Sequence, residues 1–175
     1  MQITPEQAQF LAGLSIHNAE EEFKITRKVL AAVPADKGDY APHPTNMNAM
    51  KLCWHIASAE MWFLESIAAG AFSMTGGEMP ESLKTPSDVV GWYEENVPKS
   101  MAKVKALAAG QLAAPIDFLG IVKLPAAMYF GLMQMHSAHH RGQLSTYLRP
   151  MGGKVPSIYG GSADEPFQMP ASASA

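Results

Sequence analysis

The placement of proline and glycine most constrains what this chain can become. Between them lie four long stretches whose apolar residues recur with helical spacing, and no stretch alternates with period two as a half-buried strand would. The first opens at Thr4-Pro5-Glu6, where Thr4 suits a helix cap and Pro5 the first helical position, and Pro34 ends it after Val33. Phe10, Leu14, Phe23 and Leu30 form its expected apolar face. After a Pro/Gly-rich loop over 34–44, the second helix is expected from Thr45 or Asn46 to about Ala69, with Gly70 as its stop. A further loop spans 73–86. The third helix opens with the cap-like Thr85-Pro86-Ser87-Asp88 and runs to about Ala109, with a kink or break predicted at Pro98. A loose connection over 110–123 leads to a fourth helix from Leu124-Pro125 to about Leu148, closed by Pro150 and Gly152-Gly153. Four long helices with modest loops predict an all-α four-helix bundle. The expected domain covers 1–168, including a loose extension over 151–168, and 169–175 is expected to be a disordered tail.

At 175 residues and 47% apolar, the chain has material for one sizeable core. Charged residues make up only 17%, below the roughly 25% usual for soluble domains. So thin a polar surface predicts a homodimer. A net charge of −3 argues against a nucleic-acid partner, which calls for a basic patch. The single cysteine, Cys53, excludes an intrachain disulfide and fits a reducing compartment. MQITPEQAQF lacks the basic start and apolar centre of a secretory leader. The charge-free stretch Leu124 to His140 carries Gln134, Ser137 and three histidines, which makes it a poor membrane span. The expectation is a cytoplasmic protein with no nucleic-acid or membrane partner.

Chemistry concentrates in the histidines. His136 and His140 are four residues apart and stand one turn apart on one helix face, together with Tyr129, Leu132, Met133, Gln143 and Tyr147. His139 lies about 100° away from His140, at the edge of that stripe. Arg141 falls on the other side, where it is expected to bond backbone, a neighbouring helix or a second protomer. Two imidazoles on an apolar face need polar partners. A divalent metal is one answer, and hydrogen bonds to neighbouring side chains are the other. His55 shares its helix face with Leu52, Ala59, Trp62 and Ser66 and is the candidate third ligand. Cys53 points about 200° away from it and reads as a small buried hydrophobe. His43, in the Pro-rich loop, reads as a surface residue, the alternative being a mobile polar group near the pocket mouth. Tyr129, Tyr147, Trp62 and Gln143 either line a pocket beside the ligands or pack in the core. The run Glu20-Glu21-Glu22 reads as a solvated helix face. No Glu stands three residues before any of the three histidines, which disfavours a di-iron carboxylate bundle. Dinucleotide, phosphate-loop, Cys-x-x-Cys and Gly-x-Ser-x-Gly motifs are absent from the sequence.

His136-Ser137-Ala138-His139-His140-Arg141-Gly142-Gln143 resembles the His-x-x-x-His-Arg-Gly-Gln motif of the DinB/YfiT-like metalloenzymes. Lys51-Leu52-Cys53-Trp54-His55-Ile56-Ala57 resembles that family's other histidine motif, and Gly153 to Gly160 is similar to the segment following the last helix in many members. The resemblance extends from the first helix to about Phe167. It implies a four-helix bundle with a mirror-type helix arrangement, often dimeric, and a divalent ion (zinc, nickel or iron) held by three histidines that map onto His55, His136 and His140. Characterised relatives include transferases and isomerases that use a low-molecular-weight thiol.

Three protein nitrogens leave a coordination position open, the pattern of catalytic rather than structural sites. The first functional reading is therefore a metal-dependent transferase that joins a low-molecular-weight thiol to an electrophile. The second is a non-catalytic metal-binding or stress-associated bundle in which the ion serves stability or sensing.

Overall fold

The computed structural model describes residues 2–74 and 77–167. The expectation of a tail over 169–175 lies outside the described residues. Helix α1 (Pro5–Ala31) starts as the sequence predicts. The Thr4 hydroxyl accepts from Gln7 N at 3.2 Å, and Gln7 Oε1 accepts from Thr4 N at 2.9 Å, which satisfies two otherwise unpaired amides. Helix α2 (Ala49–Ala69) begins three to four residues later than expected, because Asn48 rather than Thr45 or Asn46 caps it by accepting from Lys51 N. Gly70 ends it with a φ of 71°, in the left-handed region. Helix α3 (Pro86–Lys105) is capped reciprocally by Thr85 and Asp88. It runs past Pro98 as one helix, so of the expected kink or break there is no break. Pro98 stands on an exposed face, where the carbonyl that loses its N–H partner can be hydrated.

The connection expected to be loose is built. It holds a short helix, α4 (Ala109–Ala113), and an antiparallel hairpin of β1 (Pro115–Phe118) and β2 (Val122–Pro125), in register Ile116 to Leu124 and Phe118 to Val122. Four-residue strands bounded by prolines are too short to display alternation, so the sequence hid them. The turn needs positive φ at Leu119 (56°) and Gly120 (77°), and Asp117 Oδ2 accepts from Gly120 N. The last long helix, α5 (Tyr129–Leu148), therefore starts later than expected, after a 3-10 turn over Ala126–Met128.

The core lies among α1, α2, α3 and α5, around Leu30, Leu52, Ile56, Leu64, Val97, Phe130, Met133 and Leu144. The chain thus forms the all-α bundle read from the sequence, with the small hairpin added. One face was misassigned. Phe10 and Leu14 on α1 are 71% and 53% exposed, and α1 instead buries Ala8, Ala12, Ala19, Thr26, Val29 and Leu30. Small residues there bring α1 close to Leu112 and Ala127. Residues 151–167 have no regular structure, yet Val155 and Ile158 pack on the core and Arg149 pairs with Asp164. Among the described residues no helix is long and apolar enough to cross a membrane.

Tyr129 is fully buried, and its hydroxyl donates to Ile116 O at 2.7 Å while accepting from Leu124 N at 3.2 Å. One side chain of α5 thus ties both strands of the hairpin to the bundle. Tyr129→Phe leaves a buried carbonyl unpaired and is expected to cost about 1–3 kcal/mol in urea unfolding, with little change in helical circular dichroism.

Candidate metal centre

Helix α2 carries His55, and α5 carries His136 and His140 one turn apart. Their rings converge: His55 Nε2 lies 3.0 Å from His136 Nε2 and 3.1 Å from His140 Nε2. All three ligand atoms fall within 4.8 Å of one another, the one such trio of His, Cys, Asp or Glu among the described residues. Zinc–nitrogen bonds of about 2.0–2.1 Å in a tetrahedron imply donor separations of about 3.3–3.4 Å, close to the two measured from His55.

The protonation logic of the trio also fits a cation. His140 Nδ1 faces Gln143 Oε1 at 3.0 Å, and the Gln143 amide donates to the Tyr147 hydroxyl at 3.2 Å. That hydroxyl donates to Met47 O and accepts from Asn46 Nδ2. This chain places the His140 proton on Nδ1 and leaves Nε2 a bare lone pair. If His55 donates from Nε2, His136 and His140 compete for one proton. If His55 instead accepts from His136, its lone pair faces that of His140 at 3.1 Å. His136 Nδ1 is buried with no partner. The three rings cannot satisfy one another, whereas a single divalent ion would take three lone pairs at once. An all-imidazole set suits zinc, nickel or iron(II).

Burial, then the neighbouring rings of His140, His55 and His139, pushes His136 down to about 4. Burial and His140 lower His55 as well. Both are therefore neutral at pH 7, the form a metal ligand needs.

The remaining sequence candidates separate. His139 is exposed and lies outside the trio, its ring 4.7 Å from that of His140. Cys53 is buried, and burial raises its thiol to about 12, so it is no nucleophile. His43 is exposed and contacts Thr45. Gln143 and Tyr147 act on His140 as described, while Tyr129 belongs to the hairpin. Trp62 lines a cleft of about 560 Å³ together with His55, His136, Met61, Phe63 and Phe118.

Arg141 does reach a neighbouring helix and its backbone. It is fully buried and donates to Glu22 O and Thr26 Oγ1 at 2.9 Å each, and to the Glu22 carboxylate and the Tyr159 hydroxyl. Glu22 is therefore not a freely solvated acid, as the triple-Glu run had implied. Sequence reading passed over Glu60, which accepts from Thr26 Oγ1 at 2.8 Å and from Tyr93. Ser137 lies beside this carboxylate, its hydroxyl without a well-formed hydrogen bond. Burial raises the Glu60 carboxyl, opposed by those hydrogen bonds and by the charge of Arg141. The signal was present in the sequence: an acid one turn from both Ile56 and Leu64 in the most apolar helix.

A family model described as the DinB family matches residues 9–168. The YjoA protein of Bacillus subtilis is 27% identical over 130 residues, which is 73% of this chain and 82% of that protein. The crystal structure of that DinB-like protein superimposes with a TM-score of 0.68 at 24% identity, covering 83% of this chain and 97% of that one. A DinB-like protein from Bacillus cereus gives 0.69 at 20% identity, covering 83% and 95%. The structural likeness fixes the fold.

His136 titrates near 4 in the folded chain and near 6.5 when unfolded, so below about 6.5 the unfolded state binds the extra proton. The metal-free protein is expected to lose stability as pH falls from about 6.5 toward 4. Melting in the presence of a chelator measures this slope, and His136→Gln is expected to flatten it.

Proposed function

The chain belongs to the DinB family, and on that premise we propose that His55, His136 and His140 hold a divalent ion and that the protein transfers a low-molecular-weight thiol to an electrophile. The convergence of three imidazoles beside an apolar cleft carries this reading. When bound, the ion would supply Lewis acidity, lowering the pKa of a thiol or water at its open position. The chain's own residues do the rest. Gln143 and Tyr147 hold His140 in one tautomer, and the cleft walls exclude water from the reacting carbon. In the transfer, the S–C bond forms as the C–X bond breaks, X departs with the bonding pair, and the thiol proton passes to solvent. A purely structural ion would have no use for the cleft, which favours transfer over the stability or sensing reading. We also propose a homodimer, supported by the exposed Phe10, Leu11 and Leu14 on α1.

Titration calorimetry with zinc alone tests the ligand set. His136→Ala and His140→Ala are expected to abolish most binding, and His139→Ala to leave it within about threefold, because His139 stands off the shared helical face. Emptying of the site by His139→Ala alone would overturn the assignment.

Protons compete with the ion for imidazole, so chelator is expected to lower the melting temperature at pH 7.5 and to change it little at pH 5. Turnover of a chloro-dinitrobenzene electrophile, screened with several biological thiols, tests the reaction. Metal-dependent turnover with one thiol is expected. Silence with all of them, in protein shown to bind zinc, would favour the non-catalytic bundle. Sedimentation at micromolar concentration is expected to show twice 18.8 kDa.

A further inference from the structure

The cleft beside the trio has an uneven chemistry. One wall beside the imidazoles is aromatic. Trp62 stands edge-on to Phe63 at 5.1 Å and to Phe118 at 5.8 Å, while Phe63 and Phe118 lie nearly parallel at 6.1 Å. Phe63 also approaches the His136 ring at 6.3 Å, so the apolar wall reaches the trio. These rings are held in place. Trp62 Nε1 donates to Ser73 O at 2.7 Å, and Phe118 sits on the hairpin strand that Tyr129 fastens through Ile116 O.

Charge is nearly missing. The one charged side chain of the described lining is Glu65, and both its oxygens accept from Lys103 Nζ at 2.8 Å, with Ser100 also donating. Apart from the ion proposed above, which takes the reactive end, no cation of the described residues lines the cleft to receive a phosphate or several carboxylates. The volume, about 560 Å³, suits a small molecule.

We propose that the cleft receives an uncharged aromatic or branched-hydrocarbon group, making the substrate a compact apolar electrophile rather than a phosphorylated or polycarboxylic one. The inference rests on the metal reading above for where the reactive end lies, next to His55 and His136. Trp62, Phe63 and Phe118 set the specificity, and Met61 supplies a wall that can adapt in shape.

Two hydroxamates with the same metal-binding head test this on zinc-loaded protein. Naphthohydroxamate is expected to bind about 30-fold more tightly than acetohydroxamate in calorimetry, the naphthyl group burying the extra apolar surface. It is also expected to quench the tryptophan fluorescence. Phe118→Ala and Met61→Ala should each reduce the preference about fivefold or more, while zinc affinity stays within twofold. The second variant keeps the test sound if the first loosens the hairpin. Equal binding of the two hydroxamates to zinc-loaded protein overturns the proposal and leaves the metal reading standing. If zinc does not bind at all, naphthalenemethanol added to the metal-free protein decides. Quenching that Met61→Ala weakens supports the apolar cleft although the metal reading has failed. No binding overturns the cleft as well.

Discussion

A buried cation governs how this bundle is assembled. Arg141 has no exposed surface, and burying a guanidinium is costly unless it is paired and hydrogen-bonded. Its partners come from α1 and from the segment after α5: the carbonyl and carboxylate of Glu22, the Thr26 hydroxyl, and Tyr159. Thr26 in turn donates to Glu60 on α2, and Tyr93 on α3 donates to the same carboxylate. One polar network therefore joins all four long helices inside an otherwise apolar core. Removing a partner from such a network generally costs about 3–5 kcal/mol, because the charge left behind stays buried. Apolar packing alone would tolerate small rotations of the helices. The network does not, since each hydrogen bond has a direction.

That constraint bears directly on the histidines. Arg141 follows His140, so fixing the guanidinium on α1 fixes the rotation of α5 and hence the direction in which His136 and His140 point. Glu60 lies five residues beyond His55, and its bonds to Thr26 and Tyr93 hold the rotation of α2 in the same way. Both helices that carry the trio are thus set by polar contacts outside it. The trio itself could not do this, because its three rings fail to satisfy each other.

Much of this was legible in the sequence, and the rest was hidden for identifiable reasons. Thr4-Pro5, Thr85-Pro86-Ser87-Asp88 and Gly70 mark helix ends through local backbone chemistry, and they behave as read. The spacing of His136 and His140 fixes a shared face for the same local reason. The hairpin was missed because its four-residue strands owe their existence to Tyr129 and the core rather than to their own pattern. The face of α1 was misread because large apolar side chains were taken as the packing side, whereas close approach selected Ala8, Ala12 and Ala19. Glu60 escaped notice because a single buried acid is meaningful only once Thr26, Tyr93 and Arg141 are known to surround it.

How His55 comes level with its two partners is a matter of register. Asn46 and Met47, just before α2, bond the hydroxyl of Tyr147 near the end of α5, so the two helices run antiparallel from a shared starting point. The extended step from Met47 through Asn48 leads into α2, and His55 lies six residues past Ala49, about 9 Å further at 1.5 Å per residue, or roughly 12–15 Å from Met47 in all. His140 and His136 lie seven and eleven residues back from Tyr147, about 10 Å and 16 Å on the same scale. His55 therefore arrives between them in height. The tyrosine that sets this register also hydrogen-bonds Gln143, which orients His140. A single hydroxyl thus governs both the level at which the third imidazole meets the pair and the tautomer of one member. No spacing within either helix encodes that coincidence. It arises only when a loop residue of one helix reaches the end of another.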